Sequence, residues 1–557
     1  MLTALLLSLT SLTPGLSAQD SDPEFGPLEV GMAAELLGLE YTEAELELML
    51  ADVSERLSEF EALRKIPLDN GVRPALVFEP RELVAAPRRA RGKATPSSVS
   101  IQPVAIPKIG TDVSRPENLE ELAFAGIHEL SSLLLAKKIT SVELTEMFLA
   151  RLERLDEKLH FVITLTRERA LSQARERDRE LGADPPHWRG PLHGIPWVAK
   201  DLLAVKGYPT TWGAKPYQNQ VLDYDAATVE RLDRAGAVLI AKVTLGALAW
   251  GDVWFGGTTR NPWKLEQGSS GSSAGSASAV AAGCVPFAIG SETLGSIVSP
   301  STRCGNSSLR PTFGRVSRHG AMALSWSMDK LGPLCRSAED AALVFEAIAG
   351  HDARDPSTRD AAFDPNAPHD IRGWKIGVPK GAFDGAQGAD FRAVLEDLKG
   401  LGAELVTLEL TRYPVSEMTI ILTAEAGAAF DDFVRSGKDD ELTRQIRRAW
   451  PNVFRHAQLI PAVDYIRANR LRTLLIQEFD HAIKEVRAIV HPSFASGLLT
   501  TTNLTGHPSF VAPCGFNADG TPYSISFTGQ LDGETDLIAV VRAWQAATSH
   551  HEKHPEL

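Results

Sequence analysis

Residues 267–311 read QGSSGSSAGSASAVAAGCVPFAIGSETLGSIVSPSTRCGNSSLRP. The first half has the composition of a flexible Gly/Ser linker. Its continuation excludes that reading. A linker joins polar loops, whereas this run passes directly into Ala279-Val-Ala-Ala282 and Val285-Pro-Phe-Ala-Ile289, which are apolar and read as a buried helix and a buried strand. Glycines and serines fused to such segments imply close backbone approach and hydroxyls held inside a packed interior. Beyond this stretch, Ala237-Val-Leu-Ile-Ala241, Trp374-Lys-Ile-Gly-Val378 and Ala488-Ile-Val490 are short β-branched runs separated by long helical patterns. Thr140-Ser-Val-Glu143 has the form of a capping box, and Leu144, Met147, Phe148, Leu152 and Leu155 continue one apolar helix face behind it. These alternating elements predict an α/β fold, a central mixed β-sheet sandwiched by α-helices. No repeat of fixed period is present.

The N-terminal portion reads differently. Leu2-Thr-Ala-Leu-Leu-Leu-Ser-Leu-Thr-Ser-Leu12 is too short to span a bilayer and is followed by Pro14-Gly-Leu-Ser-Ala18, so residues 1–18 are expected to be a signal peptide. An exported, periplasmic or secreted, protein results if it is cleaved. An ordinary N-terminus or an uncleaved anchor, giving a cytoplasmic or membrane-attached protein, stays open. Residues 30 to 65 carry Leu46, Leu50, Val53, Leu57 and Phe60 at helical spacing among many acids, an extra amphipathic helical segment. Between Ala85 and Pro116 the chain is rich in Pro, Ser, Arg and Lys and reads as a linker or an arm lying on the main body. The expected organisation is therefore 1–18 signal, 19–118 helical segment and arm, and 119–557 main domain.

The whole chain has 557 residues, 43% hydrophobic and 23% charged, as globular proteins do. Its formal net charge of −14 argues against a general affinity for nucleic acid or anionic lipid, and favours a small or uncharged substrate. Cys284, Cys304, Cys335 and Cys514 show no zinc-ligand spacing and read as buried apolar side chains, with one disulfide left open for an exported protein. Neither metal nor cofactor is expected.

Three pieces of the sequence together resemble the amidase-signature family. Gly194-Ile-Pro-Trp-Val-Ala-Lys200-Asp201 matches its lysine strand, Ser270-Gly-Ser272-Ser-Ala-Gly-Ser276 its serine loop, and Gly290-Ser-Glu-Thr-Leu-Gly-Ser296 its nucleophile turn. The two serines are 296 − 272 = 24 positions apart, the family's spacing. Asn261-Pro-Trp263, Arg310-Pro-Thr-Phe-Gly-Arg-Val316 and Asn503-Leu-Thr-Gly-His-Pro508 extend the resemblance from about Leu119 to the C-terminus. It implies the amidase-signature fold and a serine hydrolase that cleaves a C–N amide-type bond of a small molecule, an amide, carbamate or aryl acylamide.

It also implies Ser296 as nucleophile, Ser272 as proton relay after a cis peptide bond from Gly271, and Lys200 as base. The chemistry is coherent. A serine hydroxyl needs a base within hydrogen-bond reach, none of the three pieces that carry these residues contains a histidine, and a lysine can serve once desolvation has lowered its pKa. The apolar flank Ile195-Pro-Trp-Val-Ala199 suits such burial. Backbone N–H groups of Thr293, Leu294, Gly295 and Ser296 would receive the oxyanion. Three residues depart from the family pattern: Leu294 stands for Gly, Glu292 for Asp, and Val298 for a common Arg. Leu294 would be badly tolerated if its position needs a positive φ, and the other two changes would compensate each other if the missing Arg pairs with the acid.

Two other readings remain: an amidotransferase subunit that feeds ammonia to a partner, and a catalytically impaired binding protein of the same fold. Trp212, Trp250, Trp254 and Trp326 are candidates for an aromatic pocket, though packing elements are the expected role. The His550-His-Glu-Lys-His554 tail reads as a solvated terminus rather than a metal site. Glu425 reads as an exposed helix residue that could instead face the pocket. Homodimerisation is open, and no membrane embedding is expected.

Overall fold

A computed structural model describes residues 25–67, 76, 113–366, 369–384, 388–410 and 413–557. The proposed signal segment, and all of the arm before Val113, lie outside the described residues. Eleven strands form one sheet: β1 (Val162–Leu165), β2 (Pro196–Lys200), β3 (Val238–Val243), β4 (Phe287–Glu292), β5 (Ser307–Arg310), β6 (Lys330–Cys335), β7 (Lys375–Pro379), β8 (Glu404–Leu408), β9 (Ala488–Pro492), β10 (Ser509–Phe516) and β11 (Pro522–Gly529). Their spatial order is β1-β3-β2-β4-β6-β5-β10-β11-β9-β7-β8. β3, β2 and β4 are mutually parallel, as are β9, β7 and β8, and the centre between them is antiparallel. Every residue of β2 and β3 is buried, which explains their unbroken apolar runs. Trp197 on β2 stacks on its partner Phe287 on β4, ring centroids 6.0 Å apart.

Helices pack against this sheet as the apolar patterns require. Among these helices are α1 (Pro27–Leu36), α2 (Glu43–Arg64), α3 (Ser141–Leu159), α4 (Ala274–Ala281), α5 (Val298–Cys304), α6 (Ile420–Ala429), α7 (Trp450–Ala457) and α8 (Ala462–Ile483). Thr140 caps α3 through the reciprocal bonds with Glu143 that the sequence announces, and Leu144, Met147, Phe148, Leu152 and Leu155 are all buried. The Gly/Ser run becomes α4, buried along its whole length. Gly275 permits this: a Cβ there would lie 2.5 Å from the backbone nitrogen of Thr244 on the segment after β3.

The single amphipathic segment expected over 30–65 is instead two helices. Gly38, at φ +68°, ends α1, and Thr42 starts α2 with its own capping box to Glu45. The buried face of α2 is Met49, Phe60 and Leu63. Val53 and Phe60 fall on the expected side, but Leu57 is 39% exposed, because α2 packs against α7 and α8 on a face rotated from the one the leucines mark. The chain just before Leu119 does lie on the body, with Arg115 paired to Glu143 at 2.9 Å.

The C-terminus is not a solvated tail. Residues His550–Glu552 form a short helix, and His554 stacks on Phe124 with centroids 3.9 Å apart. The four cysteines are buried. Among the described residues no helix is long and apolar enough to cross a membrane.

Candidate active site

Lys200 is the last residue of β2, and Ser291 and Glu292 end the parallel neighbour β4. The carboxyl ends of parallel strands are where an open α/β sheet leaves a crevice for ligands. Lys200 is 0% exposed. Its Nζ donates to Ser272 Oγ at 2.8 Å, Ser291 Oγ at 2.8 Å and Ser273 Oγ at 3.1 Å. Among the described residues no carboxylate is within ion-pair distance of it. Burial therefore pushes its pKa well below the ordinary 10.5, and the more distant charges of Asp329 and Glu292 oppose that shift without cancelling it.

Ser272 follows a cis peptide bond from Gly271, as the family resemblance implies. Ser273, next in the chain, ties the loop to the nucleophile turn: its N–H donates to the Ser296 carbonyl at 3.1 Å and its Oγ to the Ser291 carbonyl at 3.1 Å. Ser296 opens onto a cavity of about 430 Å³ bordered by Gly271, Thr293, Leu294 and Gly295. Gly295 carries the turn's positive φ, +84°, and Leu294 does not share it. The expected cost of Leu294 is thus absent, because the left-handed position falls on the glycine one residue later. Among the described residues no acceptor is bound to the N–H of Leu294, Gly295 or Ser296. These are the free donors an oxyanion needs.

Glu292 is not waiting for the arginine that Val298 replaces. Its carboxylate accepts from Arg310 at 2.8 Å, from Asn503 at 2.8 Å, and from the N–H groups of Ile297 and Val298 at 2.8 and 2.9 Å. Burial works against its ionisation, but Arg310 and these donors outweigh that and bring the carboxyl down to about 2. The acid is held from strand β5, and it clamps the start of α5 directly behind Ser296. Thr293 Oγ1 donates to the half-buried Asp329 at 2.6 Å, fixing the other side of the turn.

Glu425 is buried, not exposed, and serves structure: it accepts from Ser325, Ser327 and Tyr465 at 2.6 to 3.0 Å. Of the four candidate tryptophans, Trp250 borders the Ser296 cavity. Trp326 is 53% exposed beside a neighbouring pocket, while Trp212 and Trp254 pack on Tyr217 and Phe255. Ser273, Ser291, Asp329, Arg310, Trp450 and Arg56 complete the surroundings, and sequence reasoning missed them. The first two and Arg310 lie inside quoted motifs without being marked as site residues; Asp329, Trp450 and Arg56 come from distant segments with no local signal. The acidic trio Glu45, Asp439 and Asp440 could hold a cation, but Arg455 already fills it at 2.7 to 2.8 Å.

A family model described as Amidase matches residues 143–500. The A subunit of glutamyl-tRNA(Gln) amidotransferase from Geobacter metallireducens is 34% identical over 481 residues, 77% of this chain and 99% of its own length. Peptide amidase from Stenotrophomonas maltophilia superposes with a TM-score of 0.69 at 30% identity, covering 76% of this chain and 97% of its own. An amidase family protein from Bacillus anthracis gives 0.70 at 25% identity over 79% of this chain and 93% of its own.

Proposed function

The chain belongs to the amidase family, enzymes that act on C–N bonds, and from that premise we propose that it is a serine hydrolase that cleaves a small amide through an acyl-enzyme on Ser296. The observation that carries this reading is a lysine with no anion in contact, hydrogen-bonded at 2.8 Å to Ser272 beside the cavity that exposes Ser296. Neutral Lys200 takes a proton from Ser272 as Ser272 takes one from Ser296. The Ser296 oxygen attacks the amide carbonyl, and the N–H groups of Leu294, Gly295 and Ser296 receive the developing oxyanion. The relay returns the proton to the leaving nitrogen, which departs as the amine. Water, deprotonated by the same relay, then cleaves the ester and releases the acid.

The amidotransferase reading rests on the 34% identity to a glutamyl-tRNA(Gln) amidotransferase component. Glutamine hydrolysis as the sole activity, silent until a partner is added, would favour it. Release of amine from anilides, aliphatic amides and carbamates by the chain alone favours the hydrolase. Normal turnover by Ser296→Ala would remove both. The run Leu2–Leu12 is proposed to direct export, and the mass of the mature protein tests this.

A further inference from the structure

The protein carries a net charge of −14, yet the residues bordering the Ser296 cavity include Arg56 and Arg448 and no carboxylate. Arg448 has no ion-pair partner among the described residues. Its neighbour Arg447 is neutralised by Asp52 and Glu55 of α2 at 2.9 and 2.8 Å. Arg444 adds a third cation, its guanidinium 5.0 Å from the ring of Trp250 on the cavity wall. Arg56 comes from α2 itself. Glu59 at 2.5 Å offsets its charge, so the net positive charge here comes from Arg448 and Arg444, while Arg56 Nη2 reaches Thr423 Oγ1 on α6 at 3.3 Å. The rest of the wall is largely apolar, from Leu294, Leu422, Trp450, Val453 and Leu499.

The N-terminal helix is thus a wall of the site. α2 is clamped to α7 and α8 by Asp52–Asn452 at 2.7 Å and Arg64–Asp464 at 2.6 Å. A cationic patch on an apolar cavity in an acidic protein has a plain electrostatic meaning: it draws anions into the cavity in preference to neutral competitors.

Resting on the reading of Ser296 as the nucleophile, we propose that this site takes an amide whose other end carries a carboxylate, received by Arg448 and by Arg56 of α2. The apolar wall covers the stretch between that carboxylate and the scissile bond. Arg56 and Arg448 are specificity-determining residues here, and α2 is part of the substrate site rather than a structural accessory. The overall negative charge, which suggested an uncharged substrate, is locally reversed.

The test uses the full chain with Ser296→Ala, so that binding is read without turnover. Glutaryl p-nitroanilide and its neutral ω-carboxamide are compared by calorimetry. The carboxylate ligand is expected to bind about tenfold more tightly, since a charge-assisted contact in a partly dry site is worth about that much. Arg448→Gln, an exposed substitution with no folding role, should bring the ratio close to one, Arg56→Gln should lower it, and Arg56→Lys should restore part of it. Raising the salt should weaken the acid and leave the neutral ligand unmoved. Equal affinity, preference for the neutral ligand, or no binding of either overturns the proposal. Turnover of both anilides by the wild type, lost in Ser296→Ala, decides the nucleophile separately.

Discussion

Two lysines are fully buried on neighbouring strands, and their surroundings are opposite in kind. Lys242 on β3 lies beside Ala199 of β2, one residue before Lys200. Each is 0% exposed. Lys242 sits 2.7 Å from the carboxylate of Asp201 and donates to Thr210 Oγ1 and the Pro209 carbonyl at 2.6 Å. Among the described residues, Lys200 hydrogen-bonds to serine oxygens alone. Burial lowers both from 10.5, but only Lys242 has an anion in contact to hold its proton. A buried lysine with a carboxylate is a strut. The same side chain surrounded by hydroxyls is the one we propose as the base.

Exchanging each lysine for methionine separates the two roles most widely. Lys200→Met and Ser296→Ala are expected to lower kcat/KM by about 10⁴-fold or more, because members of such a relay fail together. Neither should lower the melting temperature, and Lys200→Met should match or raise it, since an apolar group replaces one that burial penalises. Lys242→Met should do the reverse. It strands Asp201 in the core and costs about 3–5 kcal/mol of stability, read as a fall in the chemical-denaturation midpoint, with kcat retained in the protein that remains folded.

The titration of Lys200 gives the next largest effect. With the neutral amine as the proposed base, kcat/KM should rise with pH through an apparent value below 10.5 and then level. Stability carries the matching sign: the unfolded chain holds a proton at Lys200 that the native state has released. Native stability therefore rises with pH between the depressed native value and 10.5, and that slope should shrink in Lys200→Met. An activity maximum in acid would break the contrast between the lysines. The smallest effect expected is that of Leu294→Gly. Gly295 alone needs the left-handed conformation, so this change should alter kcat less than about tenfold, checked by steady-state kinetics.

The same contrast marks what is legible in sequence. Lys200, Ser272 and Ser296 lie in three short motifs whose order and spacing are readable, and the strands beside them are unbroken apolar runs. Lys242 and Asp201 sit in or beside those runs without any local mark of their pairing. Glu425 reads as exposed because its partners Ser325, Ser327 and Tyr465 are distant in sequence, and a helix glutamate carries no sign of what folds over it. Arg56 goes unmarked for the same reason: the packing of α2 against α7 and α8 brings it to the cavity. The leucines of α2 mislead, since Leu57 fits the helical period as well as Met49 does. Contacts between segments, not local pattern, choose which stripe is buried.

The most direct measurement of the central claim is the rate of fluorophosphonate labelling against pH, followed by intact mass, on wild type, Ser296→Ala and Lys200→Met. A single adduct on the wild type, absent from Ser296→Ala, forming faster as pH rises and losing that dependence in Lys200→Met, is the predicted result. An adduct that persists in Ser296→Ala, or a labelling rate indifferent to Lys200, would contradict it.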